Sequence, residues 1–201
     1  MFVLSKFSDS IRVKPQDFNK STSDALEDEI NTKYANKVVQ NVGLCICLYD
    51  IHTIDEGLIK PGDGAVYIKV EFRLIVFRPF VGEILEGWIS SCSEDGIRVK
   101  MEFFDDVFIP KEYLFEGSVF VPKEQAWVWR TEDNELYMDT NEKIRFRIEE
   151  EQFHDLLPRI APSNPNLKPD EASEYSANQI PPYALIGSCQ SDGVGLISWW
   201  E

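Results

Sequence analysis

The clearest pattern in the chain lies in AVYIKVEFRLIVFRPF, where apolar and polar positions alternate strictly. Val66, Ile68, Val70, Phe72 and Leu74 fall on one side, and Tyr67, Lys69, Glu71 and Arg73 on the other. A period of two predicts a strand with one buried and one solvated face. Upstream, Phe2, Leu4, Ile11 and Val13 are spaced among polar residues, which predicts an extended segment over 2–13 that Pro15 stops. The period then changes in KSTSDALEDEINTKYANKVV. Leu26, Ile30, Tyr34 and Val38 recur at helical spacing with Ala25 and Ala35 beside them, and Ser21 or Ser23 can cap. Asp24, Glu27, Asp28 and Glu29 favour the positive N-terminal end of that helix, and Lys33 and Lys37 close its final turns. CICLYDIHTI reads as a strand with Cys45 and Cys47 on one face, followed by the polar turn DEGLIKPGDG. Strand, helix and long hairpin predict a small α+β unit ending near Pro79.

Beyond it nearly everything reads as strand. VGEILEGWISSCS, GIRVKMEF, DDVFIPKEYLF, EKIRFRIEEEQF and YALIGSCQSDGVGLISWW are short β segments divided by Gly, Asp or Pro turns, the spacing of a small antiparallel barrel. TEDNELYMDTNE can carry one more short strand. LPRIAPSNPNLKPDEASEYSANQIPP holds six prolines and few large apolar residues, so it is expected to form a mobile insert at about 158–181. Trp199 and Trp200 are expected to pack when the final segment closes the barrel or meets the first unit. The division is drawn at 1–80 and 81–201.

Charge sharpens that division. The chain's 201 residues carry a net charge of −15, and the first 80 hold 10 Lys+Arg against 11 Asp+Glu, leaving 10 against 24 beyond. The acidity belongs to the second half, so any nucleic-acid contact must be local. The longest apolar run, Val42 to Tyr49, is far short of the ~18 to 20 residues that cross a bilayer. Lys6 and Asp9 interrupt the opening residues where a signal peptide needs an apolar stretch, and a soluble intracellular protein is expected. Cys45, Cys47, Cys92 and Cys189 form no CxxC pair, and the two histidines, His52 and His154, are far apart, which predicts neither a metal nor a disulfide framework. No nucleophile with its base and no phosphate-binding loop is present, so catalysis and cofactors are not expected.

MFVLSKFSDSIRVKPQDF, KYANKVVQNVGLCICLYDI, the KPGDG turn and YIKVEFRLIVFRPFVGEILEGWI resemble the larger stalk subunit of archaeal and eukaryotic RNA polymerases. FDDVFIPKEYLFEG, WVWRTEDNELYMDTNEKIRFRIE and LIGSCQSDGVGLISWWE are most similar to the RNA polymerase III paralogue. The resemblance implies an α+β, RNP-like tip domain followed by an all-β OB-fold barrel of the S1 type. It implies a non-catalytic nuclear subunit supporting transcription initiation and hence tRNA and 5S rRNA synthesis. It also implies a smaller helical stalk subunit as heterodimer partner, the polymerase III core, initiation factors and weakly bound single-stranded RNA.

By that resemblance Lys60, Pro61, Gly62, Asp63 and Gly64 form the tip loop that docks on the core, although the same residues also suit an ordinary hairpin turn. The candidate RNA face consists of Arg98 and Lys100 in GIRVKM and Lys143, Arg145 and Arg147 in KIRFRI, all alternating with apolar residues. Pairing with the surplus carboxylates is the competing role for these cations. The S1 pattern Gly-x-Phe-Val is here Gly96, Ile97, Arg98, Val99, and the later His-x-Ser region is Phe108, Ile109, Pro110, Lys111. Stacking aromatics are therefore missing from their usual places, with Phe103, Phe104 and Phe108 as substitutes or core residues, and RNA binding is expected to be weak and salt-sensitive. A stand-alone S1 RNA adaptor and the stalk subunit of another nuclear polymerase are the alternative readings.

Overall fold

The N-terminal unit, Met1–Pro79, of the computed structural model runs β1 (Phe2–Val13), α1 (Thr22–Tyr34), β2 (Lys37–Val39), β3 (Gly43–Ile54), β4 (Leu58–Ile59) and β5 (Val66–Phe77). The structure describes residues 1–131, 134–154 and 180–200. The strands form one sheet in the order β1-β5-β3-β2, with β4 also paired to β5. Ile68, Val70, Phe72, Leu74 and Val76 of β5 turn to one face, where α1 covers them with Ala25, Leu26 and Ile30. Burying Leu26 and Ile30 completely stabilises the unit by roughly 1.5–3 kcal/mol for each side chain.

Two features of this unit depart from the sequence reading. The helix ends at Tyr34 and not beyond Val38, because Asn36 takes a left-handed φ of 58° and Lys37–Val39 pairs with β3. Its start matches expectation, with Ser21 Oγ accepting from the Asp24 backbone N–H. In β3, register shifts between Cys45 and Cys47, Leu48 and Asp50, and Ile51 and Thr53 convert the period from two to three. Cys45, Leu48, Ile51 and Ile54 therefore face the same side, opposite Val76, Leu74, Phe72 and Val70. Cys47 lies opposite Ile75 on the other face, so the two cysteines do not share one.

The second unit, Phe80–Glu201, contains β6 (Ile84–Ser93), β7 (Gly96–Lys100), β8 (Val107–Pro110), β9 (Ser118–Val121), β10 (Ala126–Arg130), β11 (Glu135–Met138), β12 (Lys143–Phe153), β13 (Tyr183–Ser188) and β14 (Gly195–Leu196). Five of them close on themselves in the cyclic order β6-β7-β8-β13-β12, an OB-type barrel. Leu85, Ile89, Ile97, Val99, Ile109, Ile144, Phe146, Ile148 and Leu185 fill its interior. The barrel is not wholly antiparallel as expected: β8 and β13 run parallel, which the long excursion between them makes possible. Most of the 158–181 insert lies outside the described residues, but its flanks meet where the His154 backbone N–H donates to Pro182 O.

That excursion holds a sheet that the sequence reading missed, β11-β10-β9. Its strands are short, and only β11 was anticipated. Trp127 is buried with its indole N–H donating to Ser93 O, while Trp129 stacks on Phe115 with ring centroids 4.3 Å apart. Trp199 joins this cluster, 5.8 Å from Phe115 and 5.7 Å from Trp129. Trp200 departs from expectation: it is 57 % exposed, although its indole N–H donates to Val194 O. Burial pushes the thiols of Cys45 and Cys92 up to about 11 and that of Cys189 up to about 12, as packed apolar side chains would have it.

Candidate docking loop and nucleic-acid face

The loop residues Lys60 to Gly64 connect β4 to β5, with left-handed φ values of 89° at Gly62 and 69° at Gly64 making the turn. Lys60, Pro61, Gly62 and Gly64 are exposed. Asp63 behaves differently, because its carboxylate turns back onto the sheet. Arg12 Nε donates to Oδ2 at 3.0 Å, the second Arg12 nitrogen donates to Oδ1 at 2.6 Å, and the Tyr67 hydroxyl donates to Oδ2 at 2.6 Å. The Arg12 guanidinium first, and then the Tyr67 hydroxyl, hold the Asp63 carboxyl well below its ordinary value. A bidentate guanidinium fixes orientation as well as charge, so the loop is anchored at both β1 and β5.

Next to the loop stand two apolar side chains that the sequence reading left inside a polar turn. Leu58 is 74 % exposed and Ile59 is 70 % exposed. They extend as β4 opposite Tyr67 and Val66, so backbone pairing presents them to solvent in a fixed position. An apolar pair within an otherwise polar turn was the signal that could have found them.

On the barrel, register decides which cations meet. Lys143 of β12 lies opposite Trp88 of β6, and Trp88 lies opposite Lys100 of β7, so the three form one row across adjacent strands. In the next row Arg145 lies opposite Glu86. On the other side Arg98 lies opposite Ser91 and Phe108. Gly87 contributes to this closeness, since a Cβ there would come within 2.6 Å of Val99 Cγ1 and 2.8 Å of Lys100 O. Arg147 is displaced from the Lys143 row by four residues, roughly 13 Å along the strand.

The cations also differ in commitment. Glu86 accepts from Lys143 Nζ at 2.7 Å and from the Arg145 guanidinium at 2.8 Å and 3.2 Å. These hydrogen bonds, Lys143 first, hold the Glu86 carboxyl below its ordinary value. Arg147 donates to Ser191 Oγ at 3.3 Å, and its Nε lies 3.3 Å from Glu149 without hydrogen-bond alignment. Arg98 and Lys100 are exposed and form no ion pair with a described residue. Pairing with carboxylates thus engages three of the five cations and leaves Arg98 and Lys100 outside any ion pair, with Arg98 still acting electrostatically on Asp106.

Among the three phenylalanines considered as stacking groups, Phe104 is buried with its ring centroid 5.7 Å from Tyr183, Phe108 is half-buried, and Phe103 is 42 % exposed. The aromatic at the centre of the cations is Trp88, which sequence reasoning did not single out. Its ring is partly exposed, and Lys143 Nζ lies 6.0 Å from its centroid. Among the described residues no cluster of His, Cys, Asp or Glu could hold a metal ion.

Comparison with known proteins covers both units. Residues 83–200 match the family described as RNA polymerase III subunit Rpc25. Residues 8–64 match the SHS2 domain found in the N terminus of Rpb7p/Rpc25p/MJ0397, in keeping with the strand, helix and hairpin order of the first unit. The chain is 52 % identical over 207 residues to DNA-directed RNA polymerase III subunit rpc8 of Schizosaccharomyces pombe, and 49 % identical over 213 residues to subunit RPC8 of Saccharomyces cerevisiae. Both alignments cover 100 % of each chain. It is also 32 % identical to DNA-directed RNA polymerase subunit Rpo7 of Saccharolobus solfataricus, over 50 % of this chain and 56 % of that one.

Proposed function

Since this chain belongs to the RNA polymerase III subunit Rpc25 family, we propose that it is the larger stalk subunit of nuclear RNA polymerase III and carries no catalytic chemistry of its own. The observation that carries this reading is the full-length identity of 49 % and 52 % to two RNA polymerase III subunits. The SHS2 unit is the anchor. Leu58, Ile59, Lys60 and Pro61 make the contact with the polymerase core, and Asp63, tied to Arg12 and Tyr67, together with Gly62 and Gly64, gives the loop its shape. The OB barrel receives emerging transcript through Arg98, Lys100, Lys143 and Arg145, with Arg147 at the margin. A smaller helical subunit completes the stalk, and initiation factors meet it during promoter-dependent transcription.

Weak RNA binding follows from the charges. The face sets two of its cations on one carboxylate, Glu86, within a half of the chain whose net charge is −14. Attraction is short-ranged and falls steeply with salt. The test is purification of the tagged chain from nuclear extract at moderate salt, followed by mass spectrometry. Core subunits of RNA polymerase III and one small helical protein are expected with it. Recovery of the chain without any polymerase, or with the subunits of another polymerase, would overturn the assignment.

A further inference from the structure

We infer that Trp88 is a base-stacking platform for single-stranded RNA, in a position set by cross-strand register between Lys100 and Lys143. This inference rests on the reading of the barrel face as an RNA contact and adds the group that would recognise a base. Three observations bear on it. Trp88 belongs to β6, whose inward positions Leu85 and Ile89 are buried, so Glu86 and Trp88 face outward. The ring is partly exposed in a fold whose other described tryptophans are mostly engaged elsewhere. Trp127 is buried, Trp129 and Trp199 pack with Phe115, and Trp200, though 57 % exposed, donates to Val194 O. Finally, Trp88 has a lysine directly opposite on each neighbouring strand, with Arg98 farther along β7.

Charge and shape together select the occupant. An acidic peptide would satisfy Lys100, Lys143 and Arg98 but make no use of an indole face. A duplex keeps its bases stacked within itself. An unpaired nucleotide uses both parts of the row, because its base covers the ring while its flanking phosphates meet the cations, and every base has a π face. The missing aromatic of the S1 pattern makes this substitution physically sensible: Arg98 stands where that pattern has phenylalanine, and the aromatic surface has moved one strand over. The lysine beside the ring also adds to the site, since a cation near an indole is drawn to its face.

The test measures fluorescence anisotropy of a labelled oligouridylate of about twelve nucleotides with the full chain at low salt. The same measurement is made with an abasic ribose-phosphate strand of equal length, and polyglutamate serves as competitor. Trp88→Ala is expected to weaken oligouridylate binding roughly tenfold, about 1.4 kcal/mol, while leaving binding of the abasic strand unchanged. Trp88→Phe, which keeps a stacking ring, should stay within about threefold of the wild type, and thermal melts of both variants report folding. Equal binding of oligouridylate by Trp88→Ala and wild type overturns the stacking role while leaving the cationic RNA face intact. Equal affinity of the wild type for the abasic strand, or displacement by polyglutamate as effective as by unlabelled oligouridylate at matched charge, overturns it also. Absence of any RNA binding by the wild type removes both this inference and the reading beneath it.

Discussion

The proposed docking loop and the proposed RNA face each contain one carboxylate between strong donors, yet the two arrangements would have opposite consequences. Asp63 binds Arg12 and Tyr67, which belong to the sheet behind the loop. Glu86 binds Lys143 and Arg145, which belong to the proposed contact surface itself. In the loop the ion pair consumes nothing that a partner would need, and it removes conformational freedom that docking would otherwise have to remove. On the barrel the ion pair occupies the groups proposed to meet phosphate, so RNA would have to compete with Glu86. On the proposed roles, the same local chemistry would make one surface ready to bind and the other weakly binding, and the deciding factor is which partner faces outward.

The sharpest way to break this comparison is to remove the clamp from the loop. Arg12→Ala and Asp63→Ala should each weaken association with the polymerase core by roughly tenfold or more, because the loop must then be ordered on docking. The heterodimer with the small helical subunit should survive. Exchanging the pair, Arg12→Asp with Asp63→Arg, should recover part of the loss, which simple removal of a surface charge would not predict. Competition binding to core polymerase stripped of its stalk measures this, and unchanged affinity in both single variants would show that the clamp has no bearing on docking.

A smaller effect of opposite sign is expected from Glu86→Gln. Releasing Lys143 and Arg145 should strengthen binding of single-stranded RNA by about two- to fivefold at low salt and steepen its salt dependence. Each additional phosphate contact on a single strand adds roughly 0.7 to the slope of log affinity against log salt. Weaker binding in this variant would mean that Glu86 positions the cations for RNA and does not compete with it. Anisotropy titrations across a salt series distinguish the two outcomes.

How far these surfaces were legible in the sequence depends on the range of the interactions that build them. Strict alternation in β5 correctly separates Val66 to Leu74 into inner and outer faces, since a strand without bulges needs only local information. The neighbouring β3 defeats the same rule, because three register shifts place Cys45, Leu48, Ile51 and Ile54 together, and bulges leave no simple trace in composition. The cations at 98, 100, 143, 145 and 147 could be read as outward-facing. Their partners could not, for Glu86 and Arg145 are 59 residues apart and meet only through the β6–β12 register. Trp88 falls outward by the alternation of Leu85, Gly87 and Ile89, but the lysines beside it come from two other strands and only register brings them together. Of the sheet β9 to β11 only the strand in TEDNELYMDTNE is legible in the sequence, because segments of four or five residues carry little periodicity.

The smallest expected effect is a flat pH response, and it sharpens the comparison by separating geometry from titration. Both carboxyls are held below their ordinary values, Asp63 by Arg12 and Tyr67 and Glu86 by Lys143 and Arg145. A depressed carboxylate contributes stability that is fully present above its unfolded value, 3.8 for Asp63 and 4.5 for Glu86, and that is lost as pH falls through the lower folded value. Neither ion pair therefore changes state between about pH 5.5 and pH 8. Hydrogen exchange at residues 60–64, corrected for the intrinsic pH dependence of exchange, and RNA affinity of the barrel face should each vary by less than about twofold over that window. Any larger rise in RNA affinity toward pH 5.5 would mean that a group other than Glu86 governs access to the cations, and the contrast between clamp and competitor would then rest on the wrong carboxylate.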